Sequence, residues 1–481
     1  MPAAVIPFPK STAPGVRPQE SAGRIINGYV EPLSQTAPSQ IVYRRAAGLK
    51  SWGTTSRTGF RGAVEIGGVF YAAFNGQLEK WTVSAGGAST NVGALTGTKK
   101  GFFAFNNNAP PDNVFVDPDG NIAIFTTTTV TNSYPDGDLP AVNSVCALDG
   151  YLIFSTGGGR IYASDLNSPA VNPLSFGAAE AKADGLTRLI AWAGQLFAFG
   201  NFTTEVWTNV ASVPFPFQRQ LVIPRGIAGP YCVAGHEDAF GSALVWIGDD
   251  NAVYRLNGYQ PDKISPPDLD GLIEAVTDKT QLEVSVFISR GHPFVLISSS
   301  TWSWVFDLNN ETWAERISYN QTRTRIIGGT KGFTNKWLCG DTQSGNIHEI
   351  TNTVAQEVGS PFRWRLESGP VEKFPTGARV GRVDFNFVTG VGLAGGTDPI
   401  QTDPTVEISW SDDGGNIWSS PLQRKLGRQG ITRGLISLVA CTGRSTWNGR
   451  RWRLDIADPV DVGFMVATQA ENSRATDRIP T

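Results

Sequence analysis

Apolar and polar positions follow one recurring pattern along most of the chain, most legible at residues 294–316, FVLISSSTWSWVFDLNNETWAER. An apolar run reaches a Ser/Thr step, a second run ends at Phe306, and a third closes on Trp313. Between the last two, Asp307, Asn309 and Asn310 supply turn chemistry, because Asp and Asn bond their own backbone and tolerate tight φ. Aromatic and β-branched runs between turn formers predict antiparallel strands, here one β-meander. Similar units begin near Val69, Val114, Tyr151, Leu196, Leu244, Phe294 and Lys336, spaced by 45, 37, 45, 48, 50 and 42 residues. Periods of roughly 40–50 residues with several strands each are the signature of propeller blades, which bury their faces only by stacking. The pattern predicts an all-β chain whose body is a β-propeller-like array of about seven short units. An irregular β-sandwich with similar hairpins is the competing arrangement.

The pattern also divides the chain. Proline at positions 2, 7, 9, 14 and 18 makes residues 1–40 an extended arm, disordered or laid across a neighbouring subunit. The propeller-like domain spans 41–358. From 359 to 470 the period stops, and longer stretches such as RVGRVDFNF alternate apolar with polar residues, predicting an antiparallel sheet with one wet face. Residues 471–481 read as a flexible tail. Helix signals are scant, the clearest lying at 178–184 before Gly185.

Composition narrows the function. With 481 residues the chain exceeds one ordinary core, and a formal charge of −3 argues against a protein dedicated to coating nucleic acid. Cys146, Cys232, Cys339 and Cys441 lie far apart, which suits isolated thiols in a reducing compartment rather than a zinc site. Three histidines in three separate units predict no histidine metal cluster and no cofactor. The first residues lack the basic start and apolar run of a signal peptide, and no stretch approaches the roughly 20 apolar residues of a membrane span. These features predict a soluble protein made in a cytoplasm.

Few constellations carry chemistry. Ser411, Asp413, Gly415 and Trp418 in SDDGGNIW fit the S-x-D-x-G-x-x-W pattern of the Asp box, with Ile417 where Thr is usual. In such a hairpin the Asp bonds backbone amides, Gly permits positive φ and Trp folds over the turn. The Asp box and 14 tryptophans motivate a glycan-binding or sialidase-like propeller, although a sialidase needs several boxes, an arginine cluster and a Tyr/Glu pair. Asp117 opens DPDGN, which resembles a calcium loop but lacks the glutamate at position 12. Glu205 sits inside an apolar strand, and the Gly- and Pro-rich loop 224–232 joins two strands. Eight basic residues (Arg424, Lys425, Arg428, Arg433, Arg444, Arg450, Arg451, Arg453) follow without an intervening Asp or Glu. Arginine suits planar, bidentate pairing with carboxylate or phosphate, so this band is the candidate partner contact beside the plainer reading of a solvated face.

Several segments in order resemble the tail hub or nozzle family of short-tailed bacteriophages, also called packaged-DNA stabilisation proteins or tail accessory factors. They are FGNFTTEVW, PRGIAGPYCVA, LVWIGDDNAVYRLNGYQPDKIS, WVFDLNNETWAER, ISWSDDGGNIWS and RRWRLDIADPVDVGF, covering roughly residues 145–470. The resemblance implies a non-enzymatic virion protein, made in the host bacterial cytoplasm and located in the tail. It implies a hexameric ring below the portal and adaptor, with tail fibres or tailspikes at its side and a needle or plug closing it. DNA would pass without sequence-specific binding, which an acidic chain favours by repelling phosphate.

Overall fold

The computed structural model describes residues 4–471 apart from 38, 183, 334, 372–374, 394, 396–397, 433 and 440–442. The chain forms two compact units. Unit 1 takes Met1–Leu49, Trp302–Thr324 and Thr351–Thr481, and unit 2 takes Lys50–Thr301 and Arg325–Ile350.

Unit 2 is the propeller. Five four-stranded antiparallel sheets follow one another, starting at strands Gly62–Ile66, Phe102–Phe105, Ser144–Leu148, Leu186–Trp192 and Val233–Ala234, with strands neighbouring in chain order. We call these blades 1 to 5. The hairpin Glu283–Ser289/His292–Ser298 follows as blade 6. Blade 7 is Ile326–Gly332, Lys336–Asp341 and Ile347–Thr351, beside strand Gly48–Thr54 in the sheet order. All seven positions where the sequence pattern restarts fall on, or one residue before, the second strand of a blade.

Those second strands are continuously apolar because both faces are covered. In Asn113–Val116, Val114 and Val116 pack with Leu152 and Phe154 of blade 3. Phe115 points the other way, to Tyr71 and Leu78 of blade 1. Blade 3 repeats the device, with Ile153 turned toward Leu189 and Trp207 of blade 4. Alternation of period two therefore feeds two interfaces at once. First strands of blades 1 to 4 pack in succession, as do those of blades 5 to 7, and blade 7 returns to blade 1. Trp52 completes that return, its ring near Phe70, Trp81 and Phe333.

The turns after the second strands carry the buried charge. Asp117 accepts hydrogen bonds from the Asp119 and Asn121 amides and pairs with Arg61 at 2.9 Å, both side chains at 1% exposure or less. DPDGN is thus a hairpin turn. In blade 7 Asp341 holds Arg325 through two hydrogen bonds and accepts from Ser344, while in blade 5 the corresponding Asp249 is exposed and accepts from Arg225 and the Gly226 amide.

Unit 1 is a two-sheet sandwich. One sheet orders Gly28–Pro32, Ile41–Arg45, Gly463–Glu471, Val380–Phe387 and Ile436–Val439, with Ala4–Val5 paired to Gly463–Glu471. The other runs from Ser303–Asp307 and Thr312–Glu315 through Arg24–Ile26, Trp364–Glu367, Arg451–Ile456 and Thr405–Ser411 to Leu422–Lys425. Tyr43, Phe385 and Phe464 of the first sheet meet Trp364, Leu366 and Trp452 of the second in one core. The proline-rich first residues pack here: Ile6 is buried in the same core, and the Thr12 amide donates to the Trp313 carbonyl.

One expectation is corrected. Residues 178–184 form no helix among those described; Ala178 ends strand Val171–Ala178. The amides and carboxylates there serve blade 4 instead. Ala181 N–H donates to Glu205 Oε1, and Asp184 accepts from the Phe202 and Thr203 amides at the turn after Gln195–Gly200. Among the described residues no helix is long and apolar enough to cross a membrane.

Candidate functional site

Asp413 sits in the turn joining Thr405–Ser411 to Leu422–Lys425, two strands paired antiparallel. Ser411 Oγ donates to its carboxylate at 2.7 Å, and the Asn416 and Ile417 amides donate to it at 3.0 Å. Gly415, at φ +97°, gives its amide to Ser411 Oγ, and Trp418 Nε1 donates to the Gly415 carbonyl. Burial alone raises the carboxyl, but the Ile417 amide, the Ser411 hydroxyl and the Asn416 amide outweigh it and hold Asp413 below the usual carboxylate range. The polar groups of Ser411, Asp413, Gly415 and Asn416 bond to one another within the turn, which suits a fastening rather than a reaction.

The basic residues divide into two groups. Arg450 grips Asp412 through two 2.7 Å hydrogen bonds, with the rings of Trp410 and Trp452 within 6 Å. Arg451 donates to the carbonyls of Ser21 and Gln19. Arg453 pairs with Glu367 directly opposite on the neighbouring strand and stacks 3.8 Å from the Trp418 ring. Arg365–Asp455 and Arg24–Glu315 extend this cross-strand ladder. These three members are consumed inside unit 1. Lys425 and Arg428 are 73% and 69% exposed over Asp403, and Arg444 is exposed. Arg424 reaches from Leu422–Lys425 to the Ser437 carbonyl, linking the edge strands of the two sheets. Ile431, Leu435 and Val439 stand exposed on the same segment. Arg433 lies outside the described residues, as does Cys441; Cys146, Cys232 and Cys339 are buried free thiols.

Glu205 is 2% exposed rather than solvent-facing and pairs with Arg219 at 3.3 Å. Its place inside an apolar run was the signal that a charged partner exists. Loop 224–232 joins blades 4 and 5, its Ile227 and Ala228 amides donating to Gly200 and Ile247.

The structure adds a site that the repeat pattern did not reveal. First strands of all seven blades surround a cavity of about 470 Å³. Lys100 pairs with Glu283 at its wall, and Tyr231 Oη donates to the Lys100 carbonyl. Burial lowers Arg188 to about 9 and Cys146 is raised to about 12 by burial. Burial also lowers His236 to about 3, with Arg188 adding to the effect, and raises Glu237 to about 7. Among the described residues no group of three or more His, Cys, Asp or Glu could hold a metal ion.

No curated protein matches the chain. Solved structures with a similar path include U3-55K (11% identity, 63% of this chain and 98% of that chain, TM-score 0.40). Another is BamB from Moraxella catarrhalis (13% identity, 66% and 95%, TM-score 0.38). The model of the family described as "Bacteriophage P22 Gp10, beta-propeller" matches residues 27–355. That stretch holds every blade, and the chain therefore belongs to the Bacteriophage P22 Gp10 beta-propeller family, phage structural proteins of DNA stabilisation in the tail.

Proposed function

We propose that the chain is the tail nozzle or hub subunit of a short-tailed bacteriophage. In this reading six copies form a ring below the portal and adaptor, extend the DNA exit channel, retain packaged DNA and anchor fibres or a needle. Its role is structural rather than catalytic. The observation that carries the proposal is the family match over residues 27–355. The propeller lumen has the volume of a small-molecule pocket, so a conduit for duplex DNA would lie between copies of the chain. The exposed members of the basic band, Lys425, Arg428 and Arg444, together with Leu435 and Val439, are the surface we assign to a neighbouring subunit or adaptor.

Native mass spectrometry with negative-stain imaging, on the chain alone and with its adaptor ring, tests the reading. A closed ring of about six copies with a central hole is the expected result. A chain that stays monomeric in both conditions would overturn it.

A further inference from the structure

We propose that the propeller lumen is a binding site for a small oxyanion, of the carboxylate or phosphate class, held by Arg188 with His236 beside it. The inference does not depend on the tail role.

Arg188 enters the lumen from the first strand of blade 4 and is only 7% exposed. Its guanidinium lies 3.3 Å from the centroid of Phe102 on blade 2. Nη1 makes a single hydrogen bond, 3.3 Å to Ser144 Oγ of blade 3. The neighbouring cations are satisfied differently: Arg61 holds Asp117, and Lys100 holds Glu283. Arg188 has no carboxylate within ion-pair distance among the described residues. A buried charge ordinarily has a partner, since desolvation is costly without one. The remaining donors of a planar fork match two oxygens of a carboxylate or phosphate.

Blade 5 supplies the other side. His236 Nδ1 is buried without a hydrogen-bond partner, and as the Nδ1–H tautomer it donates to the same oxyanion. Glu237 holds its carboxylate 3.9 Å from His236 Nδ1 and makes no ion pair with Arg188. Its carboxylate accepts from the Gly235 amide, and burial favours its neutral form, which lessens repulsion of an anion. The pocket thus draws on blades 2, 3, 4 and 5. A ligand there ties together strands distant in sequence and adds stability by mass action.

The test is calorimetric titration of the full-length chain with sodium acetate and, separately, with inorganic phosphate. Crystals soaked in 4-bromobenzoate, a carboxylate whose aryl bromide does not alkylate thiols, locate the site through anomalous scattering from bromine. One equivalent per chain and a bromine peak beside Arg188 are expected; acetate-only binding selects the carboxylate class, and binding of phosphate selects the phosphate class. R188Q should weaken binding about ten- to a hundredfold, as loss of a charged hydrogen-bonding group does. R188K, which keeps charge but loses the fork, should fall between. Should R188Q fail to fold, R188K and H236F carry the comparison. No binding of either anion, a peak only on the outer surface, or unchanged affinity in the variants that fold would overturn the proposal.

Discussion

The Arg61–Asp117 pair shows what single residues contribute to this fold. Both groups are buried, and Asp117 also fastens the turn of its blade. Asp117→Ala leaves Arg61 charged and unpaired, and should cost about 3–5 kcal/mol, read from urea denaturation. DPDGN announced a turn, because Asp and Gly at those offsets have a local mechanism. The arginine that pairs with it, 56 residues upstream, had no local signature. Titration follows the same logic. At Asp341 burial pushes the carboxyl up, but hydrogen bonds from His348, Arg325, Ser344 and the Gln343 amide prevail and hold it well below the usual range. A depressed folded-state value means stability present above the ordinary carboxylate range and lost as pH falls through it. D341N should therefore flatten the acid limb of a stability–pH curve. Glu237 has the opposite sign: raised from 4.5 to about 7, it favours the fold below 4.5 and loses that contribution as pH rises to 7. The melting temperature of E237Q relative to wild type should then rise between pH 5 and 8. A constant difference would remove Glu237 from the account.

At the scale of elements, the run of basic residues separates into parts with opposite expectations. Arg450 and Arg451 are 1% and 3% exposed and bonded within unit 1. Replacing both with Glu sets a carboxylate against Asp412 and should lower unfolding free energy by about 3 kcal/mol or more. R428E/R444E replaces two exposed side chains and should leave the melting temperature nearly unchanged while preventing assembly. Size-exclusion chromatography of both pairs separates the two effects; assembly by R428E/R444E would dismiss that surface as the contact. Sequence displayed the charge run but not its alternation about the strand Arg451–Ile456. There, Arg451 and Arg453 meet partners contributed by residues 19–21 and 367, distant in the chain. Residues 178–184 were misread for a related reason: the Glu205 carboxylate that holds the Ala181 amide lies 24 residues away in the chain.

For the whole molecule, the repeat was the most legible feature, because each blade writes the same period into the chain. The lumen was not legible. Its walls are first strands, such as Phe102–Phe105 and Ser144–Leu148, that read like any other apolar run until closure brings all seven together. The sandwich was visible only at its C-terminal part, since Ala4–Val5, Arg24–Ile26 and Gly28–Pro32 are supplied from the other end of the chain. The assembly experiment belongs at this scale, and a ring would give the acidic balance of the chain a purpose in repelling phosphate.

That last arrangement sets a timetable for synthesis. The strand Gly463–Glu471 stands between Ile41–Arg45 and Val380–Phe387, and it also receives Ala4–Val5. A ribosome delivers Tyr43 more than four hundred residues before the Phe464 that it pairs with. Throughout that interval the early strands wait with their backbone edge open, while the propeller segment emerges and has its own partners at hand. A nascent chain stalled before residue 463 should hence carry a protease-resistant propeller and a digestible amino terminus, and release of the last strand should protect both ends at once.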